Sequence, residues 1–170
     1  DYLLTDKFGN YTVQKLCSRE PVFLGQTSAY LEINFESLVD NEFASRVMQA
    51  LVDLSPSFRE FCLIKFKKCL PGILTSISAV FLISAVIKST QDFEELTFLK
   101  EMISKDQSLL ECRYLKRVMV SYVDNCPDLE LPSIIETLNL RGNLCTFLDD
   151  KYSAYIVLML VQRGEQGTIS

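Results

Sequence analysis

The chain has 170 residues, of which 48% are hydrophobic and 23% are charged, a composition that is typical of a folded globular protein and excludes wholesale disorder. Six glycines and five prolines are few for an all-β domain with many turns, so the composition favours helices. The net charge of -5 argues against a strongly basic nucleic-acid binder, because phosphate contacts come from clustered Lys and Arg.

The charge is unevenly spread along the chain. Residues 61–120 hold nine bases and six acids, so this middle stretch has a local charge of +3 by subtraction. Its densest positive part comprises Lys65, Lys67, Lys68 and Lys88. These lysines form either a phosphate-binding strip or a solvated outer helix face, and the abundance of Lys on protein surfaces favours the second interpretation.

Related segments recur along the chain at intervals near 35 residues. The segment Phe8–Leu16 has a counterpart in Phe43–Leu51, in which Phe, Gln and Leu recur with an offset of 35. A third copy falls on Ser78–Ser84, a fourth on Glu111–Val118 and a fifth on Tyr152–Leu160. Tandem repetition at this period is typical of helical repeat proteins, whose units bury their apolar faces against their neighbours.

Helix-period apolar patterns fill the intervals, and Pro or Gly marks the breaks, as at Pro71-Gly72. Two helices per repeat predict an all-α solenoid formed by a single repeat domain over residues 1–170. The inner helices are predicted near residues 8–18, 43–54, 73–88, 109–124 and 151–163. Only the second helix of the first repeat is present, so we expect the repeats to begin before residue 1.

The string Leu4–Leu16 (LTDKFGNYTVQKL) closely resembles the inner-helix consensus of Pumilio (PUF) repeats. The resemblance implies a right-handed α-solenoid of about five repeats, the first incomplete, that reads single-stranded RNA one base per repeat. In this family one side chain stacks between bases and two flanking side chains touch the base edge. Positions i and i+4 lie on one helix face, so both can reach the same edge.

The first two repeats match this readout pattern. By resemblance, Asn10 and Gln14 would read the base edge beside a stacking Tyr11, a combination that favours uracil. Ser45 and Gln49, beside a stacking Arg46, resemble the combination that favours adenine, and Arg offers a planar cationic face for stacking.

The fourth and fifth repeats depart from the pattern. Cys112 and Arg113 resemble an adenine-type start, but Lys116 replaces the expected Gln and has no hydrogen-bond acceptor. Lys116 would therefore contact either a base carbonyl or a phosphate. Tyr155 stacks without selecting a base or is an outward-facing structural side chain, since Ala154 and Leu158 cannot read an edge.

The third copy contains Ala79, Val80 and Ile83 in place of readout groups. It either only packs, which is the favoured interpretation, or presents an apolar patch to a protein partner. A partner on the convex face is a further alternative.

The predicted function is binding of single-stranded, A/U-containing RNA with a 5′-A-U-3′ preference across the second and first repeats. The resemblance implies recognition of mRNA 3′ untranslated regions, post-transcriptional regulation and a cytoplasmic or, alternatively, nucleolar location. The alternatives are a protein-binding solenoid whose RNA readout has decayed, and a ribosome-assembly relative with low base selectivity. No catalytic motif, cofactor or small-molecule substrate is expected, since the chain has no His and no phosphate-binding or nucleophile-elbow motif.

The six cysteines form no C-x-x-C pair, so no metal site is expected. Their scattered spacing favours free thiols in a reducing intracellular compartment. The apolar segment Ile73–Ile87 is shorter than the roughly twenty residues that span a bilayer, so no membrane contact is predicted.

Overall fold

The computed structural model describes the backbone of residues 2–168 and, within that range, the side chains of all residues except 141, 143, 146, 147 and 165–168. The predicted all-helical class is confirmed, and the described residues contain no strand. The α-helices are α1 (Tyr2–Thr5), α2 (Gly9–Cys17), α3 (Pro21–Ile33), α4 (Phe35–Leu38), α5 (Glu42–Leu54), α6 (Pro56–Ile73), α7 (Ile77–Ser89), α8 (Thr97–Lys105), α9 (Arg113–Asn125), α10 (Leu131–Thr137), α11 (Leu140–Leu148) and α12 (Lys151–Thr168). Short 3₁₀ helices span Phe93–Leu96, Gln107–Glu111 and Asp128–Glu130.

The N-terminal unit, Asp1–Ser89, is built from two helix layers. Helix α5 packs between α2 and α7, and α3 and α6 form the second layer against α5. The buried side of α5 includes Val47, Met48 and Leu51, which are fully covered. Burial of each such side chain stabilises the unit by about 1.5–3 kcal/mol before entropy costs, so α5 is the central element of this unit.

The C-terminal unit, Thr90–Ser170, is organised around the pairing of α9 with α12. Tyr122 of α9 is fully buried, and its ring centroid lies 4.9 Å from that of Phe93. Arg163 of α12 donates hydrogen bonds to the carbonyl oxygens of Val123 (2.5 Å) and Cys126 (2.6 Å). Because these carbonyls lie in the last turn of α9 and just after it, Arg163 satisfies groups that the helix leaves without a partner.

Two helix boundaries differ from those expected from the sequence. The break predicted at Pro71-Gly72 is wrong, because α6 continues through Pro71 to Ile73 and α7 begins only at Ile77. Pro71 is exposed and lies in the last turn, where the carbonyl that its missing N–H leaves unpaired can be hydrated. Helix α9 begins at Arg113 rather than near residue 109, because residues 107–111 form a 3₁₀ helix that the Asp106 carboxylate caps.

Helix α1 packs closely on the start of α2. A Cβ atom on Gly9 would lie 2.7 Å from the carbonyl oxygen of Leu3, which is closer than the two atoms can approach. Gly9 is therefore required by the close approach of the two backbones, and it fixes where α2 begins.

Candidate nucleic-acid interface

The inner helices α5, α7, α9 and α12 each begin with an equivalent backbone hydrogen bond, and the same bond lies in the turn that leads into α2. In each, an N–H donates to the carbonyl oxygen four residues earlier: Asn10 to Asp6 (3.2 Å), Ser45 to Asn41 (2.9 Å), Val80 to Ser76 (3.3 Å), Lys116 to Cys112 (3.1 Å) and Ala154 to Asp150 (2.8 Å). We call the five acceptor residues the cap residues. They are separated by 35, 35, 36 and 38 residues, so they place the repeats in a common register.

Four of the five cap residues also accept hydrogen bonds through their side chains. Asp6 accepts from the N–H groups of Phe8 (2.9 Å) and Gly9 (2.6 Å), Asn41 from Phe43 and Ala44 (both 3.0 Å), Ser76 from Ala79 (3.2 Å), and Asp150 from Tyr152 and Ser153 (both 3.0 Å). These bonds satisfy the first N–H groups of each helix. Cys112 makes no side-chain cap.

The common register defines three positions in each repeat. The first edge position, four residues after the cap, holds Asn10, Ser45, Val80, Lys116 and Ala154. The stacking position, five residues after the cap, holds Tyr11, Arg46, Phe81, Arg117 and Tyr155. The second edge position, eight residues after the cap, holds Gln14, Gln49, Ser84, Val120 and Leu158.

Every stacking position carries an aromatic ring or an arginine. In the N-terminal unit, Tyr11 and Phe81 are each 54% exposed, and Arg46 is exposed between them on α5. Nη1 of Arg46 donates to Oη of Tyr11 at 3.3 Å, and Nη2 of Arg46 donates to the Glu42 carboxylate at 2.6 Å. The three flat groups therefore occupy one face of three adjacent helices.

The C-terminal unit presents the same feature on α9 and α12. The Arg117 guanidinium carbon lies 4.6 Å from the centroid of the Tyr152 ring, and Arg117 also donates a hydrogen bond to Oη of Tyr152. Tyr155, one helical turn further along α12, is 50% exposed. Arginine and tyrosine are the side chains on which unstacked bases pack in single-strand binding proteins.

The structure corrects the register expected for the fourth repeat by one helical turn. Cys112 is the cap residue and Arg113 lies one turn before the stacking position, where its guanidinium carbon is 4.9 Å from the Tyr114 ring. Lys116 is at the first edge position rather than the second, and Arg117 is the stacking residue. A shift of four residues keeps the same helix face, so the apolar pattern of α9 could not reveal the difference.

The register of the third repeat also differs from the one expected, by one residue. Ala79, Val80 and Ile83 are buried and form part of the core. The stacking position belongs to Phe81, which lies 35 residues after Arg46. The spacing of 35 residues from Arg46 could have identified Phe81 as the stacking residue. The neighbouring apolar residues made Phe81 resemble part of the core.

The first edge residues of the first two repeats do not present polar atoms at the surface. Asn10 is 0% exposed and Ser45 is 1% exposed, so the expected direct contact of these residues with a base is not available. Both are hydrogen-bonded to the second edge residue of the same repeat, Asn10 to Gln14 and Ser45 to Gln49. The two glutamines are only partly buried.

A shallow groove of about 300 Å³ lies between α2 and α5. Its lining comprises Tyr11, Gln14, Lys15, Ser18, Ala50, Asp53 and Leu54. The groove thus joins a stacking ring, an amide and a cation, which are the groups that contact a base face, a base edge and a phosphate.

The fourth and fifth repeats are joined by an ion pair. Nζ of Lys116 lies 3.8 Å from the Asp150 carboxylate. Hydrogen bonds from the backbone of Ser153 and Tyr152, with the charge of Lys116, hold the pKa of Asp150 below its usual value against the opposing effect of desolvation. The charge of Lys116 therefore compensates the charge of a helix cap.

Three of the four lysines of the basic cluster lie outside the inner helices, whereas Lys88 lies in the last turn of the inner helix α7. Lys65, Lys67 and Lys68 belong to α6 in the second layer of the N-terminal unit, and Nζ of Lys65 pairs with Glu36 at 3.2 Å. This location favours the solvated-face interpretation over a phosphate-binding strip.

The described part of the chain contains no helix that is long and apolar enough to span a bilayer. Within the same residues no group of His, Cys, Asp and Glu side chains could hold a metal ion. All six cysteines are free thiols, and burial raises the pKa of Cys62 to about 12, so Cys62 behaves as a small core hydrophobe.

These features define the class of protein: an all-helical repeat protein with an aromatic or arginine side chain at one fixed position of each of the five inner helices. The fold matches that of solved Pumilio-type repeats. One structure, described as the Puf3 RNA binding domain bound to the Cox17 RNA 3′ UTR recognition sequence site A, matches with a TM-score of 0.78 and 19% sequence identity. The match covers 93% of this chain and 46% of that one.

A second structure, of the same Puf3 domain bound to site B, also matches with a TM-score of 0.78 at 19% identity, over 93% of this chain and 45% of that one. The chain thus spans about half the length of these domains. No family model matches the sequence, and no curated protein matches it. The resemblance seen in the sequence is confirmed at the level of the fold.

Proposed function

We propose that this chain binds single-stranded RNA by stacking unpaired bases on Tyr11, Arg46, Phe81, Arg117 and Tyr155. The observation that carries the proposal is the recurrence of a flat side chain at the same register position in all five inner helices. Packing in the hydrophobic core does not explain this recurrence, since Tyr11, Phe81 and Tyr155 are each at least half exposed. The Puf3 domains of the same fold are bound to RNA, which supports the proposal.

Base selection is proposed only for the first two repeats. Gln14 and Gln49 each present an amide beside a stacking group, and an amide can hydrogen-bond a base edge as donor and acceptor. The resemblance assigns uracil to the first repeat and adenine to the second, which gives a 5′-A-U-3′ preference. Recognition of mRNA 3′ untranslated regions in the cytoplasm, without chemistry on the RNA, remains part of the proposal.

The first experiment removes two stacking groups together. In Tyr11→Ala with Arg46→Ala, we expect the affinity for a 5′-A-U-3′ single strand to fall by on the order of 1–3 kcal/mol per lost stacking partner. The measurement is fluorescence anisotropy with a labelled RNA at fixed salt. The change lies on the exposed face, so thermal unfolding should show a native-like transition.

A matched control separates stacking from general electrostatics. Lys67→Ala with Lys68→Ala removes two positive charges from the exposed side of α6, one more than the stacking variant removes. We expect this control to bind within about twofold of the unaltered protein, because scattered exposed charges are screened within a Debye length. If the control weakens binding as much as the stacking variant, the interface does not lie on the inner helices.

A further inference from the structure

Two short hydrogen-bond chains lead from main-chain carbonyls to the glutamines at the second edge positions. In the first repeat, Nδ2 of Asn10 donates to the carbonyl oxygens of Asp6 (2.9 Å) and Lys7 (2.7 Å). Nε2 of Gln14 then donates to Oδ1 of Asn10 at 3.0 Å. In the second repeat, Oγ of Ser45 donates to the carbonyl oxygen of Ser78 at 2.8 Å, and Nε2 of Gln49 donates to Oγ of Ser45 at 3.2 Å.

The direction of each chain is fixed by its main-chain end. A carbonyl oxygen can only accept, so the single hydroxyl proton of Ser45 must point to Ser78. The Ser45 oxygen is then left with lone pairs alone, and only the NH₂ side of Gln49 can face it. Both protons of the Asn10 amide are likewise committed to carbonyls, so its Oδ1 must face the NH₂ side of Gln14.

We propose that Asn10 and Ser45 are positioning residues that determine which amide atom of Gln14 and Gln49 faces the RNA base. This inference rests on the proposed RNA-binding function. Each chain directs Oε1 and one N–H of the glutamine outward as a fixed acceptor and donor pair. With the amide reversed, an N–H would meet a donor of the favoured base and Oε1 would meet an acceptor, so selectivity would be lost while stacking remained.

The two hydrogen-bond chains differ in the repeat that supplies the main-chain carbonyl at which they begin. Asn10 is held by carbonyls of its own repeat, at the start of α2. Ser45 is held by Ser78 of α7, in the following repeat, and the bond lies in the buried contact between α5 and α7. Base preference in the second repeat therefore depends on the packing of the third.

The test measures amide orientation and base preference separately. In the free protein, ¹⁵N-resolved NMR should show one of the two Gln49 side-chain NH₂ protons protected from solvent exchange. In Ser45→Ala we expect both protons to exchange as in an exposed glutamine. Discrimination among the four bases opposite the second repeat, about tenfold or more for a well-held amide pair, should fall below about threefold. The affinity for the best RNA should change by less than about threefold.

Ser28→Ala is the matched control, because it removes another buried hydroxyl from the same unit. Among the described residues, Oγ of Ser28 has no hydrogen-bond partner. We expect Ser28→Ala to leave both the Gln49 signals and the base preference unchanged. Asn10→Ala tests the first repeat independently. Its readouts are the Gln14 side-chain NMR signals and the discrimination among bases opposite the first repeat.

The outcomes distinguish the inference from the function on which it rests. If Gln49→Ala removes base preference but Ser45→Ala and Asn10→Ala leave both preference and NMR signals intact, the positioning role is wrong and RNA reading stands. If Gln49→Ala and the double stacking variant both bind every RNA as the unaltered protein does, the RNA-binding function itself is wrong.

Discussion

The first two and the last two repeats share their stacking groups but differ at the edge positions. Tyr11 and Arg46 have counterparts in Arg117 and Tyr155. The amides Gln14 and Gln49 correspond to Val120 and Leu158, which cannot hydrogen-bond a base. Stacking requires only a flat face, whereas edge reading requires a donor and an acceptor held in a fixed orientation. The proposed function therefore assigns affinity and selectivity to different positions of the same helix.

The third repeat shows how far the edge positions can change while the stacking position is kept. Val80 is buried at the first edge position, and Phe81 is the exposed ring beside it. An apolar first edge residue cannot form the hydrogen-bond chain that orients a glutamine in the neighbouring repeats. We therefore expect the third repeat to contribute to affinity in the same way as the fourth and fifth.

Removing the stacking groups of the C-terminal unit gives the largest effect that separates the two regions. In Arg117→Ala with Tyr155→Ala, we expect the affinity for RNA to fall by on the order of 1–3 kcal/mol for each base that loses its platform. The relative affinities for RNAs that differ at the 5′-A-U-3′ step should remain as in the unaltered protein. Anisotropy titrations with a panel of base-substituted single strands measure both quantities.

Arg113→Ala is the control for the register of the fourth repeat. Arg113 is exposed and lies one helical turn before Arg117, so its removal causes the same loss of charge. A small effect of Arg113→Ala beside a large effect of Arg117→Ala would support the register given by the cap residues. The reverse result would restore the assignment of Arg113 as the stacking residue.

A smaller effect concerns the ion pair between Lys116 and Asp150 in the C-terminal unit. Because the pKa of Asp150 is lowered in the folded state, its ionised form stabilises the fold above the unfolded pKa, and this contribution is lost as pH falls through the folded pKa. We expect Asp150→Asn, which keeps a cap oxygen but cannot titrate, to reduce the loss of stability below about pH 4.

The size of this effect should be below about 1 kcal/mol, since the pair is partly exposed to solvent. Urea unfolding between pH 3 and pH 7, at intervals of about one pH unit, measures it. Asp149→Asn, at an exposed neighbouring carboxylate, removes the same charge and is the matched control. An unchanged profile in Asp150→Asn would show that Asp150 titrates alike in the folded and unfolded states.

Much of the fold could be predicted from the sequence, because the 35-residue spacing of Phe8-Phe43 and Gln14-Gln49 is a strong local signal. The helix starts at Asn41 and Asp150 carry N-cap side chains that sequence rules recognise. The start of α9 does not, since Cys112 makes no side-chain cap. The register that the sequence predicts for the fourth repeat is consequently wrong by one helical turn.

The positioning role proposed for Asn10 and Ser45 could not be predicted, because it depends on contacts that sequence spacing does not encode. Ser45 and Ser78 are 33 residues apart, and only the packing of α5 on α7 brings them together. The repeat spacing predicts that polar side chains at the edge positions face outward. Burial separates those that orient a neighbour from those that reach the surface.

The most direct test of the account is a base scan on the unaltered protein. Each position of a short A/U-containing single strand is replaced by all four bases in turn, and each affinity is measured at the same salt concentration. We predict strong discrimination at two adjacent positions, adenine followed by uracil in the 5′ to 3′ direction, and nearly equal affinities elsewhere. Equal affinity for every base at every position would contradict the assignment of Gln14 and Gln49 as the residues that read the RNA.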